Sequence, residues 1–415
     1  MSVTQLTLLT AINMMGSGII MLPSKLAQVG ALSIVSWLVT AVGSMCLAYV
    51  FAKCGMYAKK GGGMGGYAEY SFGKAGNFMA NYTYGVSLIF ANTAIAISAV
   101  GYALGFLNKS LDPIMTCAAT IFTLWLATVL NFGGAKYTGR VSSITVWGVI
   151  IPCIGLALIG WFWFSPSLYI ANWNVHDMSF GSAAINAITM TLWAFLGMES
   201  ACANADAVDN PETNVPKAVL GGTLIAAACY IVSTNIIFGI IPSEDLVSSS
   251  APFGLVFAHM FGPTVGRIIM GLMFTPEVGK VIMALMVMSC CGSLLGWQFT
   301  IANVFKAGSD VGYFPAFMKK ITSTETPLIG MVTITVIQSL FSLMTISPTL
   351  NDQFETLVNL AVITNIIPYL LCMAAIVVIM KAVNHLGSEL KTTKFIAFVA
   401  SIYSLYACYA SGFEQ

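Results

Sequence analysis

NMMGSGIIMLP (residues 13–23) interrupts the first long apolar run of the chain with two glycines, a serine and a proline. Glycine and proline are the weakest helix formers, and here they sit where a membrane helix should be most regular. Unwound backbone cannot face lipid, because its N–H and C=O groups would lack partners. The stretch reads either as a close helix–helix contact, which small residues allow, or as a break that lines a cavity. Pro23 has no N–H and suits the first turn of a helix restarting after such a break.

The rest of the chain sets its solvent. Of 415 residues, 58% are apolar and 8% charged, where a soluble domain carries roughly 25% charged. Several apolar runs reach the roughly 20 residues needed to cross a bilayer, and the short alternating segments of a barrel are absent. The pattern predicts an all-α polytopic membrane protein. Its eleven spans lie near 6–28, 32–52, 82–107, 113–131, 141–164, 181–205, 217–241, 280–305, 327–346, 354–380 and 393–412.

MSVTQL has neither the basic n-region nor the cleavage site of a signal peptide. With the N-terminus inside, only Lys25, Lys109, Arg267 and Lys280 of the 17 basic residues stay outside. That bias places the N-terminus in the cytoplasm. Eleven spans then put the C-terminus outside, directly after an apolar run, so a twelfth span is expected to be missing.

Net charge near +1 says nothing about partners, and no nucleic-acid partner is expected. The ten cysteines lie in or beside apolar runs without metal-ligand spacing and read as packed side chains. There is no Ser/His/Asp set, phosphate loop or zinc motif, so neither enzyme chemistry nor a cofactor or metal is expected. FGPTVGRIIMGLM (261–273) is followed at once by FTPEVGKVIMALM (274–286), with eight of 13 paired positions identical. This reads as a local tandem duplication or a splice artefact; its first copy is expected in the external loop, because Arg267 and Lys280 would be costly in lipid.

Spans one and six share a property. Gly16-Ser17-Gly18 interrupts the first, and TLWAFLGMES (191–200) places Gly197 and Glu199 inside the sixth. Matched Gly-interrupted spans in two halves of opposite orientation point to a midplane binding site. Glu199 lies deep in an apolar segment, where an ionised group costs several kcal/mol and is functional by default. On an unbroken helix Trp193 and Glu199 would lie about 240° apart; a break near Gly197 lets both face one cavity. An acid beside an indole face suits a cation. Trp297, in GSLLGWQF, is similarly deep. Asn92, mid-span in LIFANTAIAI, reads as a solute ligand or a helix bridge. Glu69, in GGGMGGYAEY between spans two and three, reads as a pathway acid or a solvated loop residue.

With these residues the sequence resembles a known family. MMGSGIIMLP, KCGMYAKKGGGMGGYAEY, NFMANYTYGVSL, SSITVWGVIIP, IGWFWFSPSLY, TLWAFLGMESACAN, DNPETNVPKAVLGGT, MSCCGSLLGWQFT and NLAVITNIIPY resemble bacterial putrescine–ornithine antiporters. These belong to the basic amino acid/polyamine antiporter family of the amino acid–polyamine–organocation superfamily. The resemblance implies a LeuT-type fold in a single transport domain, with a 5+5 inverted repeat (about 6–164 and 181–380) and a further span (393–412). It implies exchange of putrescine for ornithine by alternating access in the bacterial inner membrane, and leaves a homodimer open. It implies backbone groups of Gly16, Ser17, Gly18 and Ile19 on the substrate, Trp193 and Glu199 stacking on and pairing with the amine, and Asn92, Trp297 and Glu69 at matching family positions. The duplicated unit departs from the family pattern, as would the expected loss of a twelfth span.

Alternatives differ in class. A proton-coupled putrescine importer would titrate Glu199 or Glu69. Exchangers for cadaverine and lysine or for agmatine and arginine differ by about one methylene, worth roughly 1–3 kcal/mol, or by a guanidinium. A cation channel needs rings of charges or carbonyls, and a membrane sensor would bind without flux.

Overall fold

In the computed structural model, residues 3–58, 63–199, 211–262, 277–324 and 326–412 are described. Among them every regular element is helical. Among the described residues eight helices are long and apolar enough to cross a membrane, and three shorter apolar ones (Leu6–Gly16, Phe180–Phe195 and Leu328–Met344) bring the count to the expected eleven. Span one consists of Val3–Gly18 and Leu22–Leu26. Spans two to four are Ile34–Tyr57, Gly63–Leu107 and Pro113–Leu130, and span five joins Ala135–Thr145 to Trp147–Ile159. Spans six to eleven are Phe180–Phe195, Pro211–Phe238, Val278–Asp310, Leu328–Met344, Leu350–Ala382 and Ser388–Gly412.

Local chemistry sets several boundaries. Asp112 accepts from the Met115 N–H with Pro113 beside it, Ser179 caps span six through Ser182 N–H, and Thr349 caps span ten through Asp352 N–H. Each side-chain acceptor satisfies an amide that the first helical turn leaves free. The glycine-rich GGGMGGYAEY stretch differs from the expected loop: from Gly63 it is helical and continues into span three through one non-helical residue, Gly73 (φ 59°, ψ −155°). Met64 and Tyr67 are buried there, and packing outweighs the low helix propensity of glycine. Of the duplicated unit, residues 263–276 lie outside the described residues. The second copy enters span eight at Val278, and Lys280 pairs with Glu277 at 3.0 Å.

Span three is the hub: 89% of its apolar window is buried inside the protein, against 33% for spans four and eleven, which face outward. Packing pairs recur with a shift of five spans. Span one packs on seven and span six on two; five packs on one and ten on six; five packs on seven and ten on two; four packs on eight and nine on three. A shift by an odd number reverses direction through the bilayer, so this is the pattern of an inverted five-span repeat.

Without a hydrophobic drive between helices in lipid, small residues and buried polar contacts hold such a bundle together. Thr40 and Thr191 join spans two and six at 2.7 Å, and the Ser87 hydroxyl donates to Ala361 C=O at 2.9 Å. One polar cluster crosses spans three, four, eight and nine. Gln298 accepts from Asn92 at 2.9 Å and donates to Thr335 and Gln338, each at 2.9 Å, while Thr128 and Thr335 meet at 2.6 Å.

Candidate functional site

Span one is broken as its sequence predicts. The helix stops at Gly18, Ile19–Met21 are non-helical, and Leu22–Leu26 restarts with Pro23 in its first turn. Span six stops at Phe195, and Gly197 takes φ +107°, a left-handed conformation open chiefly to glycine. The two breaks cross where they must: a Cβ on Gly18 would lie 3.0 Å from the Ala194 backbone.

Several freed carbonyls are taken up by side chains of neighbouring spans. Tyr102 donates to Ile20 C=O at 2.8 Å, Tyr230 to Ala194 C=O at 3.0 Å, and Ser289 to Gly16 C=O at 3.1 Å. These contacts satisfy groups that would otherwise be costly to bury.

Beside the breaks lies a cavity of about 30 Å³ bounded by spans one, three, six, eight and ten, with Gly18, Tyr84, Trp193, Gly197, Glu199 and Trp297 in its wall. Glu199 is 8% exposed. Its carboxylate accepts from Tyr369 at 2.7 Å, from Tyr84 at 3.1 Å and from Gly197 N–H at 3.1 Å. One anion thereby ties spans three, six and ten. The break brings Trp193 and Glu199 to one cavity, as expected. Trp193 meets Phe354 edge-on, with ring centroids 6.4 Å apart, toward the face opposite the N-terminus.

A second cavity of about 160 Å³ lies between spans one, five and eight, lined by Gly16, Ser142, Ser293 and Thr300 among others, and shares Asn13 and Trp297 with the first. Those two residues belong to both walls. A Cβ on Gly197 would lie 3.1 Å from Asn13 C=O and 3.2 Å from the Trp297 ring.

The expected site residues therefore divide. Gly18, Trp193, Glu199 and Trp297 line the central cavity, and Gly16 the second. Ile19 is buried and is not among the residues of either wall. The Ser17 side chain lies outside the described residues. Asn92 is fully buried and bridges to Gln298, apart from both walls. Glu69 is held by Asn77 at 2.7 Å in the first part of the long third helix, also apart from them. Tyr84, Tyr369 and Asn365 were not singled out from sequence, although each lies within a stretch that carries the family resemblance.

A buried carboxylate, hydroxyls, an indole face and open backbone suit a primary ammonium, by charge pairing and cation–π attraction. The amino acid permease model matches residues 1–415. The chain belongs to the amino acid permease family. This permease is 65% identical to the putrescine transporter PotE of Haemophilus influenzae, over 95% of the chain and 88% of that protein. It is also 65% identical to the putrescine transporter PotE of Escherichia coli K12, over 100% and 91%. Identity to the cadaverine/lysine antiporter of Escherichia coli K12 is 32%, over 86% and 78%. The permease is thus a multi-pass membrane transporter rather than an enzyme, and its broken spans fit that role.

Proposed function

We propose that this permease exchanges putrescine for ornithine across the bacterial inner membrane, with its N-terminus in the cytoplasm and repeats near 6–164 and 181–380. The observation that carries the reading is Glu199, an anion held by two tyrosine hydroxyls in an aromatic cavity between two broken helices. It is supported by 65% identity to two proteins named putrescine transporters.

Putrescine and ornithine share a primary alkylammonium, which Glu199 pairs with while Trp193 covers the chain. The central cavity has room for roughly one to two waters, so substrate enters only as spans separate. An ammonium arriving at Glu199 shares the carboxylate with Tyr84 and Tyr369, so its binding bears on the contact between spans three, six and ten. On the other side, Trp193 and Phe354 must part for release. Ornithine entry against putrescine exit removes positive charge from the cell.

The test is labelled putrescine uptake into proteoliposomes preloaded with ornithine, lysine or no solute. Uptake only against ornithine or putrescine supports the reading. Uptake into empty vesicles driven by a proton gradient replaces exchange with proton-coupled import, and uptake against lysine moves the chain-length preference.

A further inference from the structure

We infer that Asn365 of span ten is a second substrate ligand, whose side-chain carbonyl accepts from the ammonium that Glu199 holds. The inference rests on the proposed amine substrate. Asn365 lines the central cavity, is 2% exposed, and its Oδ1 is buried without a partner. The other unpartnered buried side-chain atom of that wall is Trp193 Nε1, a donor that cannot serve a cation.

Donor counting requires such an acceptor. A primary ammonium carries three N–H groups, and a carboxylate offers about four lone-pair sites. Glu199 already accepts from Tyr84, Tyr369 and Gly197. It has about one site left, and an ammonium bound there alone would bury unmet donors.

The orientation of the amide follows from its neighbour. Tyr369 gives its proton to Glu199, so toward Asn365 its oxygen accepts, and the amide nitrogen faces it. Oδ1 is thereby the end left over. Asn365 sits one helical turn before Tyr369, on the side of Phe354 and hence of Trp193. Along span ten Asn365 therefore lies between Phe354, which meets Trp193, and Tyr369, which meets Glu199.

The experiment measures putrescine binding to purified wild type, Asn365→Leu and Asn365→Asp by ligand-induced thermal stabilisation. Asn365→Leu is expected to weaken binding about tenfold to a hundredfold, as for a hydrogen bond to a charged group, and Asn365→Asp, which keeps an acceptor, to restore most of it. N,N,N′,N′-tetramethylputrescine, methylated at both ends, separates contact from mere support of Tyr369. Wild type should bind it more weakly than putrescine, whereas Asn365→Leu should no longer distinguish the two. Wild-type affinity in Asn365→Leu, or losses from mutation and methylation that multiply, would overturn the contact alone. Wild type that ignores putrescine would overturn the functional reading and the contact with it.

Discussion

The Lys25 ammonium lies 2.8 Å from the Glu355 carboxylate and 3.9 Å from Asp352, joining the second half of span one to the start of span ten. The Lys25 side chain is 2% exposed and that of Glu355 34%, so the pair is buried from one side only. Removing one partner of such a pair strands the other charge, whereas removing both can be nearly neutral. Glu355→Leu should therefore lower the melting temperature, and the double variant Lys25→Met/Glu355→Leu should melt above Glu355→Leu alone. A double variant that melts below it would mean the pair contributes little to closing this face.

Glu199→Gln removes the charge at the site and keeps its shape. Putrescine binding should fall roughly tenfold to a hundredfold, the range for losing a charge-assisted hydrogen bond, with folding retained. Titration of the purified variant checks this; unchanged affinity in folded protein would remove Glu199 from the site.

The glycines of the two breaks should respond unequally to alanine. At Gly197 a side chain meets positive φ, the Asn13 carbonyl and the Trp297 ring, and at Gly18 it meets backbone that cannot turn aside. At Gly16 it meets Ser293 Oγ at 3.1 Å, a group that can rotate away. Transport rates at matched membrane abundance should fall at least about tenfold for Gly197→Ala and Gly18→Ala, the equivalent of about 1.4 kcal/mol, and much less for Gly16→Ala. Equal effects at the three positions would refute this geometry.

Gln298 bonds to partners on spans three, four and nine, whereas Asn92 Oδ1 is buried with no partner. Gln298→Ala should cost about 1–3 kcal/mol by leaving buried amides and hydroxyls unmet, and Asn92→Ala less. Thermal melts in one detergent give the comparison, and the reverse order would contradict the network.

The broken spans were legible because glycine in an apolar run has few explanations in lipid, and two such runs five spans apart have fewer. Glu199 and Trp193 were legible for the same reason: an intramembrane acid stands out, and the break beside it removes the objection that the two lie on different faces. Tyr84, Tyr369 and Asn365 do not stand out, because each is unremarkable on its own helix and gains meaning only where spans three, six and ten meet. Asn92 and Gln298 show the converse. A buried amide announces a partner, but only the packing of spans three and eight shows that the partner is another amide.

The recurrence of packing pairs after five spans has a consequence for energetics. Each half of the bundle occupies surroundings that the other half also knows, upside down. If the halves trade their present shapes, the result is a second arrangement with the same kinds of contacts and its opening on the other side of the bilayer. Two states related in this way start close to degenerate, so a small difference in contacts is enough to tip the balance in either direction.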